Sequence, residues 1–312
     1  MTIKLRPYRG QSDDRSMIAL SHDAFATQFH IADLPYRLSS WSLDNPENVG
    51  IWVNDKDEIL AWTVIQIPFW SVDIVISPRV ETSEIAPLAL DWADERALRL
   101  NASNQGHAMW FVNVREHCSE MKAALANAGY ANQAKAEPNP WSKTVLKRSK
   151  LLSIPDFPLL KGVVILPTRG QDEVDAYVNL HQGAFGSNNM SREWRLRTIR
   201  HSDYLPELDL AAFDGKGEIV AFCIGWLSNP GMNGECSGQI EPMGVRKDFQ
   251  RRGLGRAILS ETMRRIYSHS VENVYVETDS IRDKTFEFYQ SCGFEPCFDV
   301  EVWRKDFPVP DF

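Results

Sequence analysis

Short runs rich in β-branched and aromatic residues, bounded by turn-forming residues, punctuate the second half of the chain. They predict strands at Val163 to Leu166, Leu208 to Phe213, Ile219 to Trp226, Gln239 to Val245, Val274 to Thr278 and Val300 to Arg304. Longer stretches with apolar residues at helical spacing predict helices at Asp172 to Phe185, Ser191 to Ile199, Leu254 to Tyr267 and Lys284 to Ser291. In the third of these, Leu259, Met263 and Ile266 form a single apolar stripe. Asp214-Gly215-Lys216-Gly217, set between two strand runs, predicts a hairpin. Strands and helices in this mixed order indicate an α/β or α+β fold that begins mostly antiparallel.

The first half carries the same pattern. Arg9-Gly10-Gln11 recurs as Arg169-Gly170-Gln171, Ala24-Phe25 as Ala184-Phe185, and Glu58-Ile59-Leu60-Ala61 as Glu218-Ile219-Val220-Ala221, all at one offset. Two copies of one domain are therefore expected, at 1–150 and 163–312. The segment 151–162 between them contains Pro155 and Pro158, which interrupt regular structure, and its apolar residues predict a linker packed against a domain. A chain of 312 residues suits two cores.

Composition narrows the function. A net charge of −8 gives no general attraction to nucleic acid or anionic membrane and fits a cationic small substrate or peptide. No uninterrupted apolar run approaches the length of a membrane span, and the N-terminus lacks the apolar core of a signal peptide. The cysteines, Cys118, Cys223, Cys236, Cys292 and Cys297, are scattered and never form a Cys-x-x-Cys pair. That pattern predicts free thiols, a cytoplasmic protein and no zinc site, and the histidines show no metal-ligand spacing.

The chemistry is concentrated in Gln250-Arg251-Arg252-Gly253-Leu254-Gly255-Arg256, between a predicted strand and a predicted helix. Two glycines at such a junction let the backbone approach a ligand, and the helix start offers unpaired N–H groups to a phosphate. Ile258 stands where a third glycine would complete a dinucleotide fingerprint, and no Lys-Ser/Thr follows, so neither a dinucleotide nor a nucleoside triphosphate is favoured. Upstream, Pro242 and Gly244 are unusual inside a strand and predict a bulge or a splayed edge at Glu241 to Val245.

The loop resembles the pyrophosphate loop of the GCN5-related N-acetyltransferase (GNAT) family, Gln/Arg-x-x-Gly-x-Gly/Ala, with strong motifs from Gly238 to Phe294 and a looser likeness over both halves. The resemblance implies two GNAT-like domains in tandem, each a mixed, mostly antiparallel sheet flanked by helices with a splayed central strand pair. It implies acetyl-coenzyme A as co-substrate and a primary amine of a small molecule or peptide as acceptor. The amides of Arg251 to Arg256 would hold the pyrophosphate, with Gln250 opening the loop, and the main chains of Met243 and Val245 would pair with the pantetheine arm.

Acetyl transfer to an alkylammonium needs a base for the amine and an acid for the departing thiolate. Tyr289, four residues before Gly293-Phe294, is at the family's spacing for the acid. Glu241 is the candidate base, with Glu277 and Asp279 as runners-up. Arg282 and Thr285 replace the asparagine and alanine frequent in the family at those places, which puts coenzyme contacts from that helix in question. Cys292 is expected to pack inside, which favours direct attack in a ternary complex over an acetyl-enzyme.

Laying Ile76 to Ala86 on Val245 to Gly255 puts Glu84 at the first loop glycine and Glu81 at Gln250, so that two carboxylates would face a pyrophosphate. Gly129-Tyr130 matches Gly293-Phe294, but Leu125 stands where the tyrosine should be. The first domain is therefore expected to keep its fold without the chemistry, to support its neighbour, and to wall the acceptor pocket. Of its tryptophans, Trp41, Trp52, Trp62, Trp70, Trp92 and Trp110, most are expected in the core. The segments 185–205 and 228–238 are expected to shape the acceptor pocket. The alternative function is a non-catalytic acyl-coenzyme A sensing module.

Overall fold

In the computed structural model, which describes residues 2–23, 30–228 and 236–308, the two halves follow one plan. The first runs β1 (Lys4–Pro7), α1 (Gln11–Asp23), α2 (Leu34–Leu38), β2 (Val49–Val53), β3 (Ile59–Gln66), β4 (Ser71–Ile76), α3 (Thr82–Ala102), β5 (Met109–Arg115), α4 (Ser119–Asn127), β6 (Ala131–Asn132) and β7 (Ser142–Ser149). The second runs β8 (Val164–Pro167), α5 (Val174–Phe185), α6 (Arg192–Arg200), β9 (Asp209–Phe213), β10 (Ile219–Leu227), β11 (Ser237–Val245), α7 (Leu254–Tyr267), β12 (Asn273–Asp279), α8 (Asp283–Gln290) and β13 (Glu295–Asp306).

The repeated sequence marks sit at equivalent places. Gly10 and Gly170 take left-handed φ values of 70° and 62° just ahead of the first helix of each half. Glu58 and Glu218 each precede the second strand of a hairpin. The Ala24-Phe25 mark lies outside the described residues, and so does most of 228–238. No helix among the described residues is long and apolar enough to cross a membrane.

All the strands join one sheet, in the order β1-β2-β3-β4-β5-β13-β7-β12-β11-β10-β9-β8, with β6 beside β13. Each half begins with an antiparallel meander and then opens at a parallel pair: β4 touches β5 only at Ser71–Phe111, and β11 touches β12 only over Ser237–Gln239. The terminal strands are exchanged. β7, from the first half, pairs along the whole of β12, while β13, from the second half, pairs with β5 as well as with β7. Strand pairing thus crosses the expected boundary near residue 150, and β13 is longer than the predicted Val300 to Arg304 because it spans partners from both halves.

Apolar cores follow the same interleaving. One packs α3 and α4 on the first half's strands and takes in Trp303 and Phe307 from the C-terminus. Another joins Ala32 and Tyr36 of the first half to α5 and α6 of the second. The segment 151–162 has no helix or strand, and Ile154, Phe157 and Leu160 pack on the core beneath α7. Buried Arg148 fixes its start, donating to the carbonyls of Leu152, Ser153 and Cys292.

Candidate active site

The loop after β11 is built by two residues in left-handed conformation, Arg251 at φ 56° and Gly253 at φ 84°. Gly253 occupies the N-cap of α7 without a side-chain cap, and the first turn of α7 holds no acidic residue. The helix start therefore offers N–H groups and a positive dipole end. Gln250 Nε2 donates to the Val245 carbonyl at 3.0 Å and ties the loop to the end of the strand.

β11 parts from β12 after Gln239, so the backbone of Met243 to Val245 is left without a strand partner on that side. Both odd strand residues have a structural reason. A bulge between Cys223 and Gly225 of β10 sets Glu241 and Pro242 together opposite Ile224. At Gly244, a Cβ would come within 2.6 Å of the Phe222 ring.

A cavity of about 640 Å³ joins loop and fork. Met243, Val245, Gln250, Arg251, Gly253, Gly255 and Arg256 line it from one side, and Lys284, Thr285, Phe288 and Tyr289 from the other. Two residues of the predicted loop set point elsewhere: the side chain of Leu254 is buried in the core, and Arg252 lies over the Phe249 ring at 5.2 Å. Thr285 lines the cavity, whereas Arg282 sits at the N-cap of α8 and pairs with Asp279 at 2.9 Å.

Tyr289 and Glu241 lie close enough to influence each other electrostatically. Burial, reinforced by the charge of Glu241, pushes the Tyr289 phenol well above its ordinary range, so it keeps its proton. Glu241 is pushed up to about 8 by burial and by the charges of Asp33 and Glu277, against the opposing pull of Lys143 and Arg37. The runners-up are already engaged. Glu277 pairs with Lys143 at 2.5 Å, and Asp279 accepts from Trp141 Nε1 at 3.2 Å as well as from Arg282. Cys292 is wholly buried, and burial raises its thiol above the usual range, which suits packing more than nucleophilic attack.

No local motif marks Asp33, Arg37 and Lys143, because α2 and β7 reach the surroundings of Glu241 only through the return of the chain and the strand exchange.

The first half lacks the loop altogether, which corrects the ungapped alignment of Ile76 to Ala86. Between β4 and α3 lie residues 77–81, against 246–253 between β11 and α7, so the first-half connection is three residues shorter. Glu81 takes the N-cap position, equivalent to Gly253, and Glu84 falls in the first turn of α3. Leu125 is buried in the core. Trp52, Trp62 and Trp110 are core residues; Trp41 donates across the halves to the Asn189 carbonyl at 3.0 Å, and Trp70 stacks on His107 with 41% exposure.

Residues 174–294, which contain the fork, the loop and Tyr289, match the family model described as acetyltransferase (GNAT) family. They form a domain of the GNAT fold. The family is one of acyl transfer from acyl-coenzyme A. Solved structures give the fold of the whole chain as tandem and GNAT-like. A GCN5-related N-acetyltransferase from Sphaerobacter thermophilus aligns at 19% identity and TM-score 0.65, over 99% of this chain and 98% of its own. A tandem GNAT protein from the clavulanic acid biosynthesis pathway aligns at 13% and 0.65, over 99% and 100%. The N-myristoyltransferase of Saccharomyces cerevisiae, solved with myristoyl-CoA bound, aligns at 8% and 0.63, over 98% and 79%. At such identities the likeness speaks for the fold. No curated protein matches the sequence.

Proposed function

We propose that the protein is an acetyl-coenzyme A dependent N-acetyltransferase with one active site, in the domain 163–312, and that the domain 1–150 supports it without chemistry of its own. One observation carries this reading: a single groove runs from an uncapped helix start, along a strand edge without a partner, to Tyr289, a proton-holding tyrosine on which the charge of Glu241 acts. The fit to the coenzyme is stereochemical. Backbone amides of Arg251 to Arg256 suit a pyrophosphate, and the free edge at Met243 and Val245 suits an amide-bearing pantetheine arm.

Bound acetyl-coenzyme A supplies the activated acyl carbon and a thiolate leaving group. In its ionised form, Glu241 accepts a proton from the incoming ammonium, directly or through a water, and so creates the amine that attacks the carbonyl carbon. Tyr289 gives its proton to the sulfur as the new C–N bond forms and the C–S bond breaks, and the second proton of the attacking nitrogen passes to the phenolate so formed, directly or through a water. The products are the N-acetyl amine and free coenzyme thiol. The free cysteines suit a reducing cytoplasm.

The test is release of coenzyme thiol from acetyl-coenzyme A with a panel of amines, on wild type and on Gly253→Glu, which copies Glu81 into the active loop. At Gly253 a Cβ has open space, so the cost to folding is that of a left-handed residue, about 1–2 kcal/mol. A carboxylate within about 5 Å of the pyrophosphate should weaken coenzyme binding at least about thirtyfold. Wild type should bind one coenzyme per chain. Two equivalents would give the first domain a site, and binding without turnover on any amine would favour a sensing module.

A further inference from the structure

The strand exchange brings one first-half residue up against the end of α8. Arg148 stands on β7 opposite Val274 of β12 and is only 1% exposed. All the hydrogen bonds of its side chain go to carbonyls: Nε donates to Cys292 at 3.0 Å, Nη2 to Leu152 and Ser153 at 3.1 and 2.7 Å, and Nη1 to Ser149 at 3.4 Å. Burying a cation among neutral acceptors is costly, and an apolar side chain of similar length would fill the space at lower cost to stability. Only the guanidinium, with its donors fixed in one planar fork, can hold the segment 151–162 and the end of α8 together.

The end of α8 carries Tyr289, which lines the cavity. Its carbonyl accepts from the N–H groups of Cys292 and Phe294 at 2.9 and 3.2 Å, around Gly293 at φ 85°. A Cβ on Gly293 would stand 3.1 Å from Arg148 Nε, so the turn lies directly on the guanidinium. From the cavity side, Arg256 Nε donates to the Ser291 hydroxyl at 3.1 Å. The first half repeats this arrangement with different residues. There β13 crosses over, and Lys305 Nζ donates at 2.6 Å to the carbonyl of Ala128, the residue before Gly129. Gly129 has the same φ of 85°, and the N–H of Tyr130 donates to the Leu125 carbonyl at 2.9 Å as that of Phe294 does to Tyr289. Lys305 is also ion-paired to Asp94. The half with leucine at this place thus holds its turn with a lysine on one carbonyl and a carboxylate, and the half with tyrosine holds its turn with an arginine on carbonyls alone.

We infer that Arg148 is a positioning residue for acyl transfer: by holding the turn at Cys292 and Gly293 against the segment 151–162, it fixes where the Tyr289 phenol stands in the cavity. This rests on the acyl-transfer reading, in which that phenol gives its proton to the sulfur, and it names what the half without chemistry contributes to the site. Proton transfer is steep in distance, and a misplacement of about 1 Å can lower the rate about a hundredfold.

The experiment is a double-mutant cycle on the full chain: wild type, Arg148→Lys, which copies the first half's clamp, Tyr289→Phe, and the two together. Thiol release from acetyl-coenzyme A is measured with the amine of the panel that wild type turns over fastest, and coenzyme Kd by calorimetry. Arg148→Lys should lower kcat about fivefold to thirtyfold with the coenzyme's KM and Kd within about twofold of wild type, and in the Tyr289→Phe background it should lower kcat by less than about twofold. A structural role alone would give the same loss in both backgrounds. That result, or wild-type kcat in a folded Arg148→Lys, would overturn the inference. If Arg148→Lys does not fold, Gly293→Ala, whose methyl bears on the same guanidinium nitrogen, takes its place in the cycle. Failure of both to fold would also overturn it, because Arg148 would then serve the fold alone. Coenzyme binding without thiol release on any amine would instead overturn the acyl-transfer reading and remove this inference with it.

Discussion

Glu241→Gln separates a proton-holding carboxyl from an ordinary strand glutamate, because stability and activity must move in opposite directions. The folded protein holds the Glu241 proton up to about pH 8, against an ordinary value of 4.5. The sign follows from proton counting: between those values the folded state binds more protons than the unfolded state, so stability falls as pH rises through this window and levels off above it. The two units between pH 6 and pH 8 correspond to at most about 3 kcal/mol. Water entry and relaxation of Asp33 reduce this to about 1–2 kcal/mol. Glutamine has the shape of the protonated acid and does not titrate. Thermal melts at pH 6 and pH 9 should therefore show the variant gaining on wild type by about 2–4 °C at the higher pH. The same variant should lose about a hundredfold or more in kcat/KM and the rise in rate with pH that Glu241 imposes. Ionisation of the amine can also produce a rate that rises with pH, so the melts decide. A constant difference between the two proteins from pH 6 to pH 9 would refute the argument, since Glu241 would then not titrate near pH 8 in the folded protein.

Tyr289→Phe should lower kcat about tenfold to a hundredfold with coenzyme affinity near wild type; unaltered turnover with a good amine would take Tyr289 out of the mechanism. Expressed alone, residues 1–150 and 151–312 should each fail to give a cooperative melt, because β7 and β13 would lose their partners on β12 and β5, while co-expression should restore coenzyme binding. A separate 151–312 fragment that melts cooperatively and binds coenzyme at full affinity would show that the exchange is dispensable.

What the sequence disclosed follows from how local its signals are. α7 spans Leu254 to Tyr267 as expected, since its apolar stripe and the glycine before it are set by neighbours a few residues apart. The oddity of Pro242 and Gly244 predicted a bulged or splayed strand, and both features are present, because each residue leaves a mark on its own backbone. An ungapped alignment cannot register the shorter first-half connection, 77–81 against 246–253. There Glu81 and Glu84 lie on a helix start they stabilise by themselves, through favourable interaction with its dipole. The exchange of β7 and β13 left no trace in the pattern, because alternation fixes which face of a strand is buried and says nothing of which edge it joins. That exchange carries Lys143 to Glu277, and together with the hold of Gln239 on residues 31–33 it gathers around Glu241 charges that no spacing rule could associate. A duplicated chain whose halves trade strands need not keep two active sites. β7 completes the second half's sheet whatever the length of the first half's own connection between β4 and α3, so on the proposed reading the first half is needed for the fold of a site it does not itself repeat.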